Sequence, residues 1–288
     1  MAKYTKGTVK DFPGFDARAD AEVLRKAMKG LGTDEEPILK VLMGRSNAQR
    51  QEIAVQFKTL FGRDMVDDLK SELTGKLETL IVSLMRPERI YDAHALKHAI
   101  KGAGTDEQVL TEILASRTPA EIRNIKQAYQ EEYGADLEDH ITSDTSGYYQ
   151  RMLVVLLQAN RDPDGQIKEH LIEQDAQELF RAGELKWGTD EEKFITILGT
   201  RSTAHLRKVK CARSVPAYFA ECLFYAMKGA GTDDDTLIRI MVSRSEKDLL
   251  DIRQAFRRDF AKSLHHVIQK DTSGDYRKGL LLLCGGED

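Results

Sequence analysis

Four stretches of the chain carry apolar residues at the same three places, six, nine and ten positions past a glycine: Ile38, Val41 and Leu42; Leu110, Ile113 and Leu114; Phe194, Ile197 and Leu198; Leu237, Ile240 and Met241. That spacing is one face of an α-helix. Just upstream, Thr33 with Glu36, Thr105 with Gln108, Thr189 with Glu192 and Thr232 with the shorter Asp235 have capping-box spacing, which predicts a helix start at each threonine. A second start is predicted at Ser46 with Gln49, at Thr118 with Pro119 and Glu121, and at Ser245 with Asp248. The longest apolar run lies within Leu153 to Leu157, far short of the about 18 residues that a membrane span needs.

The stripes belong to a repeat. Lys29-Gly-Leu-Gly-Thr-Asp34, Lys101-Gly-Ala-Gly-Thr-Asp106, Lys186-Trp-Gly-Thr-Asp190 and Lys228-Gly-Ala-Gly-Thr-Asp233 recur, each followed at one fixed distance by Arg45, Arg117, Arg201 or Arg244. Three copies reach a further acidic turn at one shared offset: Glu72-Leu-Thr-Gly75, Asp144-Thr-Ser-Gly147 and Asp271-Thr-Ser-Gly274. The third copy has none, because Lys228 of the fourth loop already stands where its acid would fall. By that spacing roughly 30 residues of the third unit are missing. Asp162-Pro-Asp-Gly165 reads as a turn in a linker between two halves. The division expected is a tail at 1–16, repeats at 17–87 and 88–159, a linker with the truncated repeat at 160–212, and a last repeat at 213–288.

Six prolines, 7% aromatic residues and abundant Leu, Ala, Glu and Lys favour an all-α fold over a sandwich of short strands. A net charge of −4, from 43 basic and 47 acidic residues, leaves no electrostatic footprint for nucleic acid. Lys3, Lys6 and Lys10 have no apolar stretch behind them, so a cleaved signal is not expected and synthesis in the cytosol is. Cys211, Cys222 and Cys284 lack C-x-x-C spacing and are read as reduced thiols.

A glycine-rich helix connection can be nothing more than a tight turn. The same turn can also present several backbone carbonyls to one point, and Ca²⁺ takes about six to eight oxygens. Recurrence of an acid, Glu72, Asp144 or Asp271, with three of the four loops favours calcium. One carboxylate with neutral carbonyls predicts weak affinity, completed by an oxygen from a lipid headgroup, so that the cation joins an acidic protein to an anionic surface. Trp187, the only tryptophan, stands in the third loop, where either core packing or contact with a membrane interface suits it. The lysines of the loops are solvated charges or phosphate contacts, and the four arginines are structural, each pairing with an acid or a helix end. The seven histidines show no metal-ligand spacing and are read as incidental.

These loops and distant acids resemble the endonexin repeat of the annexins, over nearly the whole chain. The resemblance implies four repeats of five helices in a curved disc, calcium loops on its convex, membrane-facing side and the tail on the concave side, with the third repeat truncated. It implies calcium ligation by the carbonyls of Met28, Gly30 and Gly32 with Glu72, of Ile100, Gly102 and Gly104 with Asp144, and of Met227, Gly229 and Gly231 with Asp271. Gly183, Lys186 and Gly188 offer candidate carbonyls in the third loop without an acid. The function implied is calcium-dependent binding to phosphatidylserine-rich membranes, shielding them from clotting factors and phospholipases, with lateral self-association on the surface. The expected location is the cytoplasm, peripheral on membranes when calcium is present, and also outside the cell without a signal peptide. The rival readings are a lipid hydrolase using calcium as a Lewis acid, which no G-x-S-x-G elbow or Ser-His-acid set supports, and a helical scaffold whose glycine loops are only turns.

The same truncation leads to the expectation that Phe194, Ile197 and Leu198 lose the helices that would cover them.

Overall fold

A computed structural model describes residues 6–29, 33–102, 104–163, 167–183, 189–209, 215–229 and 231–286. Among them are eighteen α-helices and no strand. The first repeat supplies α1 (Ala17–Ala27), α2 (Glu35–Met43), α3 (Asn47–Phe61), α4 (Met65–Glu72) and α5 (Gly75–Met85). The second supplies α6 (Glu88–Ala99), α7 (Glu107–Ser116), α8 (Pro119–Tyr133), α9 (Leu137–Asp144) and α10 (Gly147–Leu157). The third has only α11 (Glu169–Gly183), α12 (Glu191–Thr200) and the six-residue α13 (Thr203–Lys208). The last has α14 (Val215–Ala226), α15 (Asp234–Arg244), α16 (Leu249–Phe260), α17 (Leu264–Asp271) and α18 (Gly274–Cys284).

The chain divides into two compact units, one of Met1–Glu88 with Val215–Asp288 and one of Arg89–Ser214. In the first unit the apolar stripes of α2 and α15 share a single buried cluster with Leu24, Ile53, Phe57, Leu80, Phe256 and Leu280. Gly279 allows a close approach of side chains there, since a Cβ on it would stand 3.0 Å from Leu80 Cδ2 and 3.3 Å from Leu39 Cδ2 and Met43 Cε. The N-terminal tail is stitched to the same unit. Val9 N donates to Ser245 O (3.1 Å), Thr8 Oγ1 to Leu283 O (2.6 Å), and Phe12 N to Gln49 Oε1 (2.9 Å).

In the second unit the second repeat buries its own cluster around Leu110, Ile113, Tyr129 and Ile141. The third repeat forms a separate, smaller one of Leu179, Ile197, Leu206 and Val209, with Ile172, Phe194 and Leu198 half-buried against it. The expectation that the stripe of α12 loses its cover therefore needs correction: Ile197 is buried, because α11 and α13 close over it.

The structure also corrects the helix starts. In each of α2, α7, α12 and α15 the N-cap position is held by the aspartate after the predicted threonine, Asp34, Asp106, Asp190 or Asp233, with a side-chain cap bond from all but Asp34. The Asp106 and Asp233 carboxylates accept from Val109 N and Thr236 N, both at 3.1 Å, which leaves the threonine free for another bond. Ser46 with Gln49 and Thr118 with Glu121 form the predicted capping boxes. Ser245 does not start α16. Asp248 holds that place and makes no side-chain cap bond, since its carboxylate is taken by Arg244 at 2.8 and 2.6 Å.

The repeated arginines do pair with acids. Arg45 forks onto Asp20 (2.7 and 2.9 Å), Arg117 onto Asp92 (2.7 and 2.8 Å) and Arg201 onto Asp175 (2.6 and 3.0 Å). Burial alone would lower the pKa of Arg117, but the Asp92 carboxylate outweighs it and the shift is upward. In the last repeat Phe219 stands where the acid would be, and Arg244 lies 4.7 Å from its ring centroid while turning to Asp248 for charge.

Candidate metal centres

Glu72, Asp144 and Asp271 are each the last residue of a helix, α4, α9 and α17. A carboxylate there sits among unpaired C-terminal carbonyls at the negative end of the helix macrodipole, a place that favours a cation. The following residue is extended and Gly75, Gly147 or Gly274 then turns the chain at φ of +62°, +64° or +62° into the next helix. The acid therefore stands at the outer corner of a helix–turn–helix.

The distant loop meets that corner through the threonine. Thr33 Oγ1 donates to Glu72 Oε2 (2.5 Å), Thr105 Oγ1 to Asp144 O and Oδ2 (2.9 and 3.2 Å), and Thr232 Oγ1 to Asp271 O and Oδ2 (3.2 and 2.8 Å). The loop itself is closed by one backbone bond that recurs in all four repeats: Asp34 N to Ala27 O, Asp106 N to Ala99 O, Asp190 N to Ala182 O and Asp233 N to Ala226 O, at 3.1, 2.8, 2.9 and 2.8 Å.

Inside the second and fourth loops, Gly102 and Gly104 have φ of +119° and +121°, and Gly229 and Gly231 have +118° and +117°. No atom lies within 4 Å of where their Cβ would be, so the backbone conformation and not crowding requires glycine. Among the described residues the carbonyls of Ile100, Gly102, Gly104, Met227, Gly229 and Gly231 accept no hydrogen bond. Met28 closes α1 and is buried, whereas Gly30 and Gly32 lie outside the described residues. No three His, Cys, Asp or Glu side chains cluster as a metal group among the described residues, so a cation at these corners would draw mainly on backbone oxygens. A hard, oxygen-seeking cation fits that donor set.

In the first unit the acidic turns of the first and fourth repeats line one polar cleft of about 490 Å³, where Glu72 and Thr74 on one side answer to Asp271 and Ser273 on the other. Burial, then the Asp234 carboxylate, push the Tyr276 phenol in that cleft well above its usual pKa, so it stays protonated.

The third loop differs. Gly183 ends α11 with Phe194 across from it, and Lys186, Trp187 and Gly188 lie outside the described residues. The third repeat's helices stop at Lys208, and no acidic turn follows among the described residues. The histidine reading missed His205, which is buried with Nε2 at 2.8 Å from Asp175 Oδ2, a structural role beside Arg201. Its position, three residues past Ser202 as Gln49 is past Ser46, was the available signal. No described helix is long and apolar enough to cross a membrane.

The annexin family model matches residues 19–84, 91–156, 174–212 and 218–283, the third match being little more than half as long as the others. Chicken (Gallus gallus) Annexin A5 is 71% identical over 320 aligned residues, covering 100% of both chains. That alignment is longer than the 288-residue chain, so roughly 30 aligned positions carry no residue here. A solved structure of chicken annexin V superposes with a TM-score of 0.92, covering 99% of this chain and 100% of that one at 71% identity. One of calcium-bound annexin (Sm)1 gives 0.84, covering 98% and 93% at 30% identity. With all four repeats matched and the likeness extending from end to end, this chain belongs to the annexin family.

Proposed function

We propose that the protein binds anionic, phosphatidylserine-rich phospholipid membranes through Ca²⁺. The observation that carries this reading is the threefold recurrence of one corner: a helix-terminal carboxylate, bonded by a threonine to a glycine loop. The proposed ligands are the carbonyls of Met28, Gly30 and Gly32 with Glu72, of Ile100, Gly102 and Gly104 with Asp144, and of Met227, Gly229 and Gly231 with Asp271. One carboxylate leaves each bound Ca²⁺ with net positive charge and with coordination positions to spare. A lipid phosphate or serine carboxylate fills those positions, and the charge that would repel an acidic protein from an anionic surface is bridged. Calcium ligation in annexin (Sm)1 supports the choice of ion.

The repeat boundaries proposed are 17–87, 88–159 and 213–288, with the truncated repeat and its linker at 160–212 and the tail at 1–16. The loop of Gly183, Lys186 and Gly188 has no acid and is given no cation, while Trp187 is read as a membrane contact. The protein is a binder and not an enzyme, soluble in the cytoplasm and peripheral on membranes with calcium, and also present outside the cell. It shields anionic lipid from clotting factors and phospholipases and associates laterally on the surface. Sedimentation with phosphatidylserine vesicles tests the central claim: the protein pellets with calcium and is released by chelator. Equal pelleting in chelator overturns it, and hydrolysis of the lipid overturns the binder assignment.

A further inference from the structure

Large apolar side chains exposed among the described residues include Phe12, Val23, Val55, Tyr148, Phe180, Tyr225 and Leu282. Scattered singly, such residues are ordinary on a protein surface, so position has to distinguish one from another. Tyr148 is distinguished. It is the second residue of α10, directly after Gly147 and four residues past Asp144, on the outer corner that carries the second acid.

That corner is fastened from both sides. Thr105 Oγ1 holds Asp144, and the next tyrosine, Tyr149, turns back onto α7, where its hydroxyl donates to Glu107 O (2.8 Å) and lies 3.1 Å from Thr111 Oγ1. Tyr149 thus engages its polar tip within the unit, whereas Tyr148, on the same turn, is a residue 51% exposed. The other two acidic turns have charges at this place, each engaged in an ion pair: Lys76 with Asp234, and Asp275 with Lys278 at 2.8 Å. Of the three acidic turns, the second alone presents an aromatic ring.

We propose that Tyr148 is a membrane-contact residue, whose ring enters the headgroup layer when calcium at the second loop draws this corner to an anionic lipid surface. The inference rests on the calcium-dependent membrane reading above. An aromatic ring with a polar tip suits the membrane–water boundary, where the ring leaves water and the hydroxyl stays in it. Because Tyr149 and Thr105 already fix the backbone, little further order is lost when the ring inserts. The second unit has one acidic turn where the first has two, and Tyr148 supplies that turn with an apolar contact.

The test uses the full chain with Trp187→Phe and Tyr148→Trp, so that the only indole reports from position 148. It is mixed with vesicles of phosphatidylserine and phosphatidylcholine, with and without acyl chains brominated near the headgroup. The expected result is a blue shift and bromine quenching on adding calcium, both reversed by chelator. Separately, Tyr148→Ser in the otherwise unchanged chain should need roughly three- to tenfold more lipid for half-maximal sedimentation. Protein that sediments with calcium while its emission stays unshifted and unquenched overturns the proposal and leaves the calcium reading standing. A serine variant that binds as well as the parent does the same. Failure of the parent chain to sediment with calcium overturns both.

Discussion

The first unit joins two repeats through one buried cluster, whereas the second holds two clusters of unequal size. In the first, α18 packs on α2 and α5 on α15, so each repeat's last helix covers the other's stripe. In the second, α10 packs on α12 but the third repeat has no fifth helix among the described residues to return the contact. A cleft of about 440 Å³ opens beside α12, lined by Val154, Val155, Ile195 and Thr200. The comparison separates two layers of this architecture. Local helices suffice to bury Ile197, and α10 still packs on α12, but the return contact that α18 makes on α2 in the first unit has no counterpart among the described residues of the second.

The largest effect expected follows from where the acids lie. Glu72→Ala with Asp271→Ala removes both corners of the first unit and should weaken calcium-dependent vesicle sedimentation by roughly a hundredfold or more, against about tenfold for Asp144→Ala alone. All variants should keep their helix content, since these carboxylates serve no core. A double variant no weaker than Asp144→Ala would mean that the second unit alone carries the membrane contact. Next come the cores. Ile240→Ala in the shared cluster should cost about 2–5 kcal/mol in denaturant unfolding, while Ile197→Ala should fall at or below the lower end of that range, because its cluster has few buried members and Ile172, Phe194 and Leu198 around it are only half-buried. Trypsin should cut at Arg207 or Lys208, on the six-residue α13, before Arg257 or Arg258 on the twelve-residue α16. The reverse order of cleavage would show the truncated repeat to be as firmly held as the last.

Two glycines sharpen the contrast between the units at smaller amplitude. A Cβ on Gly279 would press on Leu80, Leu39 and Met43, all buried. One on Gly199 would stand 2.6 Å from Val155 Cγ1, an overlap that forces a shift, but Val155 is half-buried and borders the open cleft, so its surroundings have room to give. Overpacking costs about 1–3 kcal/mol and alanine returns roughly 1 kcal/mol of helix propensity over glycine. Gly279→Ala, pressed on all sides by buried groups, should therefore lower stability, and Gly199→Ala, beside the open cleft, should lower it less, by thermal unfolding of each variant. A larger loss at Gly199 would mean that the α10–α12 contact is the tighter of the two.

Much of this was legible in the sequence, and the misses share a cause. The stripes, the fixed offset of the acids and the truncation are properties of spacing, and spacing survives folding. Thr33 and Thr105 met the capping-box rule and Thr232 met it with the shorter Asp235, yet the aspartate one place on holds the N-cap position and the threonine reaches an acid in another helix. Nothing local distinguishes those outcomes. The arginine partners were within reach, because Asp20 and Asp92 precede Arg45 and Arg117 by the same interval, and Phe219 marks the repeat where that pairing fails. The hold of the tail on Ser245, Leu283 and Gln49 joins distant parts of the chain and left no periodic trace.

The smallest effect concerns acid, and it bears on the third repeat against the fourth. Asp175 is buried between Arg201 and His205, which bond it at 2.6, 3.0 and 2.8 Å. Burial by itself would raise its pKa, but the Arg201 and His205 hydrogen bonds outweigh it and the folded carboxyl titrates below its ordinary value. A folded value below the unfolded one, which is about 4, means that the cluster stabilises fully above that pH and that its contribution fades as pH falls through the folded value. The fourth repeat has Phe219 in place of this acid, so its α14 lacks the same liability. Hydrogen exchange should show α11 to α13 losing protection ahead of α14 to α16 as pH is taken from 5 toward 3. Asp175→Asn should lower protection in α11 to α13 at pH 7 and flatten its dependence on pH. Parallel loss in both repeats, or an asparagine variant with the parent's pH profile, would show that this carboxylate does not set the acid sensitivity of the third repeat.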